Sequence, residues 1–141
     1  MSSPNSVRIQ RALQSALVNA VLGNERIARE FGLLVTDLQT LHLLVLREDV
    51  RTPKRLSQTT GLPTSTVTRV LDRLENAGYL RRAHDPGDRR RVNIELDWEQ
   101  IAPIISRYGQ HTETLYQANA EFTEEELGIV ARYLERTGET F

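Results

Sequence analysis

Apolar residues recur near the start of the chain at Leu13, Leu17, Ala20, Val21, Ile27, Ala28 and Phe31, mostly three or four apart. That spacing lines up side chains on one face of an α-helix. It predicts a helix from roughly Ser6 to Phe31, about seven turns and roughly 40 Å long at 1.5 Å per residue. Such a helix outruns the core of a small domain, so part of its apolar stripe calls for another chain. Thr36-Asp-Leu-Gln39 has the form of a capping box, with Thr36 as N-cap. Leu38, Leu41, Val45 and Leu46 then supply the buried face of a second helix ending near Arg47.

Thr52-Pro53 reads as another start, a hydroxyl cap followed by proline at the first helical position. The short third helix carries Leu56 and stops before Gly61. After the Leu62-Pro63 turn, Thr64 or Ser65 caps a fourth helix to about Ala77, with Val67, Val70, Leu71 and Leu74 as its buried stripe. Gly78 is the expected left-handed residue after it. Tyr79 to Ala83 predicts a strand, Asp85-Pro-Gly-Asp88 a turn, and the alternation of Val92, Ile94 and Leu96 a returning strand. Asp97, with Gln100 three residues on, opens a fifth helix to about Ala120. Pro103 either kinks it or delays its start, because proline lacks the N–H and clashes one turn back. Thr123-Glu-Glu-Glu126 is a further capping box, for a last helix with Leu127, Val130, Ala131 and Leu134 on one side and Gly138 as terminator.

The pattern is mostly α with a small β-wing, and a length of 141 residues suits one domain with a real core. No run of eighteen apolar residues spans a bilayer, and the opening residues lack the apolar core of a secretory signal. The expectation is a soluble, cytoplasmic protein. With no cysteine there is no disulfide, thiol switch or thiolate-held zinc. His42, His84 and His111 are scattered without metal-ligand spacing, no glycine-rich phosphate loop follows a strand, and no nucleophile elbow occurs. An enzyme or metal sensor is therefore disfavoured, and no cofactor or metal is expected.

The net charge of −1 conceals a strong asymmetry. Eleven Lys and Arg face six acids between Arg47 and Arg91, while the rest of the chain holds seven basic and thirteen acidic residues. A basic middle between acidic ends orients a molecule on a polyanion. Within that middle, the fourth helix presents Ser65, Thr66, Thr68, Arg69, Asp72 and Arg73 on its polar side and flanks, and the hairpin is tipped by Arg89-Arg90-Arg91. Hydroxyls and guanidinium groups on a helix suit base edges in the major groove, and wing arginines suit phosphates or the minor groove. Three adjacent arginines at a tight turn repel one another, and a purely structural hairpin has no need of them. Ser65, Thr66, Thr68 and Arg69 are the base-edge candidates. Arg73, one turn on, meets phosphate or pairs with an acid. Arg90, helped by Arg89, is the wing probe, and Asp88 can pair with Arg90 and hold the tip.

Leu56-Ser-Gln-Thr-Thr-Gly-Leu-Pro, the run from Ser65 to Leu80, and Asp85-Pro-Gly-Asp-Arg-Arg together resemble the MarR (multiple antibiotic resistance regulator) family of winged helix-turn-helix transcription factors. The family's acidic-x-Arg wing pattern is met by Asp88 and Arg90. The resemblance implies one domain over residues 1–141, with a winged helix-turn-helix at about 36–97 and dimerisation helices at about 6–31 and 98–138. It implies a homodimeric repressor on a pseudo-palindromic double-stranded operator, released by a small aromatic or anionic effector. His42, Trp98 and Tyr108 are the residues suited to line an effector cleft. The chain departs from the family at Gly87, where many members carry a basic residue, at Asp97-Trp98, which replaces a Leu-Thr ending, and at Pro103. A winged-helix module for protein contact, without sequence-specific DNA binding, is the alternative reading.

Overall fold

The computed structural model describes residues 2–140. In chain order these are α1 (Pro4–Glu30), α2 (Val35–Leu46), a 3-10 turn (Glu48–Val50), α3 (Pro53–Thr60), α4 (Thr64–Asn76), β1 (Leu80–Asp85), β2 (Asp88–Leu96), α5 (Trp98–Asn119) and α6 (Glu124–Gly138). The architecture is mostly helical with a two-stranded antiparallel wing among the described residues. Two compact units divide the chain, residues 1–102 and 103–141.

The first unit is built around the stripe of α4. Val67, Val70, Leu71 and Leu74 are all buried, as their spacing predicts, and α4 touches α2, α3 and β1. Leu38, Leu41 and Leu44 of α2, Leu56 of α3, Val50, and Ile27 and Ala28 near the end of α1 complete the core with Leu80, Ile94 and Ile101. On α2 the buried arc differs from expectation: Leu44 takes the place given to Leu46, which is 70% exposed. Eight residues on from Leu38, Leu46 lies roughly 80° round the helix, away from the Leu41–Leu44 side. Its start differs too. Helix α2 begins at Val35, and the Asp37 carboxylate accepts from the Leu34 N–H at 3.4 Å, so Thr36 lies inside the helix and is not its cap. Pro63, not Thr64 or Ser65, sits at the N-cap of α4, without a side-chain cap bond.

Gly78 takes φ +85°, and the Gly78 and Tyr79 N–H groups close back on Glu75 and Leu74 at 3.0 Å each. This left-handed cap turns the chain from α4 directly into β1. The wing pairs Leu80 with Leu96 and Arg82 with Ile94, with an irregularity between His84 and Asp85 at its tip. Helix α5 starts at Trp98, where Asp97 accepts from the Gln100 N–H at 3.1 Å, and it continues through Pro103. The alternative of a delayed start is thereby corrected: a proline five residues in removes one backbone bond but leaves the capped first turn intact.

In the second unit, α6 opens on the expected box: Thr123 and Glu126 bond reciprocally at 3.0 and 3.2 Å. Helix α6 buries none of its residues, and Leu115, Tyr116, Phe122, Val130 and Leu134 are all exposed. Along α1 the same holds for Leu17, Val18, Val21 and Leu22.

Candidate nucleic-acid interface

The buried stripe of α4 leaves Ser65, Thr68 and Arg69 exposed and Thr66 half-buried. The Thr68 hydroxyl donates to the Thr64 carbonyl at 3.0 Å, which leaves its oxygen lone pairs outward as acceptors. Arg69 makes no ion pair among the described residues. The helix preceding α4 is fixed to it by the turn: Ser57 donates to the Leu62 carbonyl at 2.8 Å, and Gly61 takes φ +72°.

Arg73 shares the helix but not the role of Arg69. Its Nε and Nη2 reach both oxygens of Asp37 at 2.8 to 3.1 Å, and Asp37 is 1% exposed. Of the two roles open to Arg73 in the sequence, pairing with an acid is the one the geometry displays. Asp37 thus bonds the start of α2 and the last turn of α4 at once, a role absent from the sequence-based expectations. The available signal was an ionisable residue three and four positions ahead of Thr40 and Leu41, on the apolar arc of α2. Arg82 of β1 clasps the same C-terminal part of α4, with Nη2 at 2.5 Å from Asp72 and 2.7 Å from Glu75. Glu75 also accepts from the Arg82 backbone N–H at 2.8 Å.

These bonds from Arg82 hold the Glu75 carboxyl below its ordinary 4.5. A carboxylate with a lowered folded pKa gives its full stabilisation above the ordinary value, and that stabilisation is lost as pH falls through the folded value. The melting temperature should therefore drop on acidification below pH 4.5, and Glu75→Gln should start lower at neutral pH and fall less steeply. An identical acid limb in the two proteins would show that the clasp contributes nothing.

At the wing tip both acids serve the backbone. Asp85 accepts from the Gly87 N–H at 2.8 Å and Asp88 from the Arg90 N–H at 3.0 Å. Asp88 does engage Arg90, but through the main chain, so the guanidinium stays available. Arg89, Arg90 and Arg91 are exposed and form no ion pair among the described residues. Self-contained turn bonds of this kind fix the loop without spending its cations.

Three further residues were singled out for an effector. Trp98 lies half exposed in the first unit with the Arg51 guanidinium 5.5 Å from its ring centroid. Arg51 also donates from Nε to the Leu44 carbonyl at 3.0 Å, and its own carbonyl accepts from Ile94 at 2.9 Å. Trp98 is therefore tied to the last turn of α2 and to the wing, as a cation–π partner. His42, on the exposed side of α2, is desolvated enough to hold its imidazole below 6.5. Tyr108 belongs to the second unit, where its ring lies 6.3 Å from that of His111 and burial raises its phenol above 10.0.

Comparison with known proteins points one way. A family model described as MarR family matches residues 31–91. The uncharacterized HTH-type transcriptional regulator YcgE of Bacillus subtilis is 36% identical over 114 residues, covering 81% of this chain and 73% of that protein. The HTH-type transcriptional regulator PecS of Dickeya dadantii is 36% identical over 136 residues, covering 92% and 76%. Among solved structures, a MarR family protein from Bacillus stearothermophilus superposes with a TM-score of 0.74 at 21% identity, covering 99% of this chain and 97% of that one. Streptococcus pneumoniae FabT in complex with DNA gives 0.74 at 23% identity, covering 94% of each. At those identities the structural matches establish the fold.

Proposed function

The chain belongs to the MarR family of winged-helix transcriptional regulators, not enzymes, and from that premise we propose that it is a cytoplasmic homodimeric repressor of a pseudo-palindromic DNA operator. The observation that carries the DNA reading is the division of labour among the arginines. Arg73, Arg81 and Arg82 are spent on Asp37, Glu95, Asp72 and Glu75, whereas Arg69 on α4 and Arg89 to Arg91 on the wing are exposed and outside any ion pair among the described residues. Acids are thus matched to the cations that hold α4 and β1 in place. On α4 and the wing, the cations left over are those placed for a groove and a phosphate track. In a two-fold dimer, paired α4 helices address major grooves one helical turn apart. FabT, a protein of the same fold, has been solved on DNA, which supports the same use here. Release by a small aromatic or anionic effector is part of the proposal, with Trp98 and His42 of the first unit as its candidate contacts.

The experiment is selection of bound sequences from a random duplex pool, followed by salt titration of variants. Arg69→Ala should cost roughly 1–3 kcal/mol on the selected operator and relax the choice at one base pair per half-site. Arg90→Ala should weaken every duplex alike and lower the salt slope by about one unit. A pool that yields no enriched sequence while a protein partner binds the α4 face would favour the protein-contact alternative.

A further inference from the structure

The wing is clamped to the rest of the first unit at one rung. Arg82 of β1 and Ile94 of β2 face each other across the hairpin. On the β1 side, Asp72 and Glu75 of α4 hold the Arg82 guanidinium, and Glu75 also accepts its backbone N–H. On the β2 side, the Ile94 N–H donates to the Arg51 carbonyl at 2.9 Å. Towards the tip, the main-chain bonds of the described residues stay within the hairpin.

Arg51 supplies the second half of that clamp, and its own place depends on its side chain. Its Nε donates to the Leu44 carbonyl at 3.0 Å, in the last turn of α2, where carbonyls lack an intrahelical partner. Its guanidinium lies 5.5 Å from the ring centroid of Trp98, the first residue of α5. Arg51 forms no ion pair among the described residues, so its charge rests on an indole face and a carbonyl. Trp98 follows Asp97, whose N–H donates to the Tyr79 carbonyl at 2.9 Å and whose carboxylate caps α5. The ring is thus carried by the root of the wing itself.

Resting on the reading of the chain as a DNA-binding regulator, we propose that Arg51 and Trp98 are positioning residues for the wing. The Trp98 ring seats the Arg51 guanidinium, and the seated side chain holds the Arg51 carbonyl against Ile94. That bond sets the angle at which Arg89 to Arg91 meet DNA. Neither residue need touch the duplex. Leverage makes the contact count. Arg90 lies four residues beyond Ile94, roughly 13 Å of strand at about 3.3 Å per residue. A tilt of about 10° at the rung moves the tip by roughly 2 Å, enough to open a charge-assisted hydrogen bond of about 2.8 Å.

The test uses the full chain and a neutral substitution. Trp98→Leu removes no charge, yet it should lower the salt slope of binding by about one unit, the share of one wing arginine. The loss should be the same on the selected operator and on an unrelated duplex of equal length. Trp98→Phe, which keeps an aromatic face for the cation, should stay close to the wild-type slope. Arg51→Gln should match Trp98→Leu, and adding it to Trp98→Leu should take nothing more. The ratio of operator to unrelated affinity should hold in every variant, since α4 keeps its base contacts. Hydrogen exchange gives a readout without DNA. The Ile94 amide should exchange faster in Trp98→Leu, while the Tyr79 amide, bonded to the Leu74 carbonyl, keeps its rate.

An unchanged slope or an unchanged Ile94 rate in Trp98→Leu overturns the proposal. So does a Trp98→Phe that behaves as Trp98→Leu, because the cation–π contact would then have no effect. A further unit lost on adding Arg51→Gln would make Arg51 a phosphate contact in its own right, and a shifted operator preference would place the effect on α4. Either result defeats the positioning role. If wild type retains no duplex, the regulator reading falls and the inference with it; beside a wild type that binds operator, the other outcomes defeat the wing anchor alone.

Discussion

Arg73→Ala is expected to lower the unfolding free energy by about 3 kcal/mol, a larger loss than any other arginine of the chain should produce. Removing one partner of a buried ion pair leaves the other charge without compensation, at a cost of about 3–5 kcal/mol. Asp37 is that other charge, 1% exposed and bonded by both Nε and Nη2 of Arg73. The Arg73 side chain is itself 42% exposed, so water can partly replace it, which sets the expectation at the lower end. Arg69→Ala, one turn earlier on the same helix and free of ion pairs among the described residues, should stay within about 0.5 kcal/mol. Urea unfolding at one fixed protein concentration separates the two, since stability in an assembling protein depends on that concentration. Arg73→Met with Asp37→Leu should recover most of the loss, because removing both partners strands neither charge. A wild-type midpoint for Arg73→Ala would mean the pair is dispensable. Arg73 would then rejoin Arg69 and Arg90 as a candidate for DNA contact.

Arg73 also shows where sequence reasoning stops. Local spacing placed it on the polar flank of α4 and left two roles open, phosphate contact or acid pairing. The deciding partner lies 36 residues away, on the arc of α2 that packs against α4. The Thr36 cap failed for the same reason. Hydroxyl-x-x-Gln satisfied the local rule, but Asp37 is drawn inward by Arg73 and bonds the Leu34 N–H on the way, which sets the start of α2 two residues earlier. Arg51 is legible in the sequence only as charge, because its three contacts, at Leu44, Ile94 and Trp98, span three elements.

What was legible rests on periodicity and turn chemistry. The four-residue stripe of α4 was fully predicted, since a 3.6-residue period has one solution when the opposite face is so polar. The wing followed from alternation and a Pro-Gly turn, although only Ile94 of its three apolar β2 positions is buried and Val92 and Leu96 are half-buried. Positions of the base-edge candidates follow from the same helix. Their availability does not, because it depends on which acids the fold assigns to which arginines. Lys54, Arg55 and Arg91 are visible in the sequence as charge but not as the lining of one groove, since α3 and β2 are neighbours only in the folded chain.

The second large effect concerns assembly. Wild type should sediment as a dimer at micromolar concentration, and Leu17→Glu/Val21→Glu or Val130→Glu/Leu134→Glu should each yield monomer. Both pairs belong to exposed apolar rows on their helices: Leu17 and Val21 are 41% and 56% accessible, Val130 and Leu134 45% and 50%. Isolated exposed leucines need no explanation, but rows at helical spacing on two separate helices do. An obligate interface on them should bury more than about 2,000 Å². Operator affinity should fall with the dimer by about 10²–10⁴, because the second half-site is then no longer met at the high effective concentration that linkage provides. Binding to a single half-site, which needs one α4 and one wing, should change far less. That contrast separates lost assembly from a damaged reading head, provided the monomeric variants keep the α4–wing lobe folded by circular dichroism. A wild-type chain that sediments as a stable folded monomer would remove the dimer, and with it the reason to expect a two-fold operator.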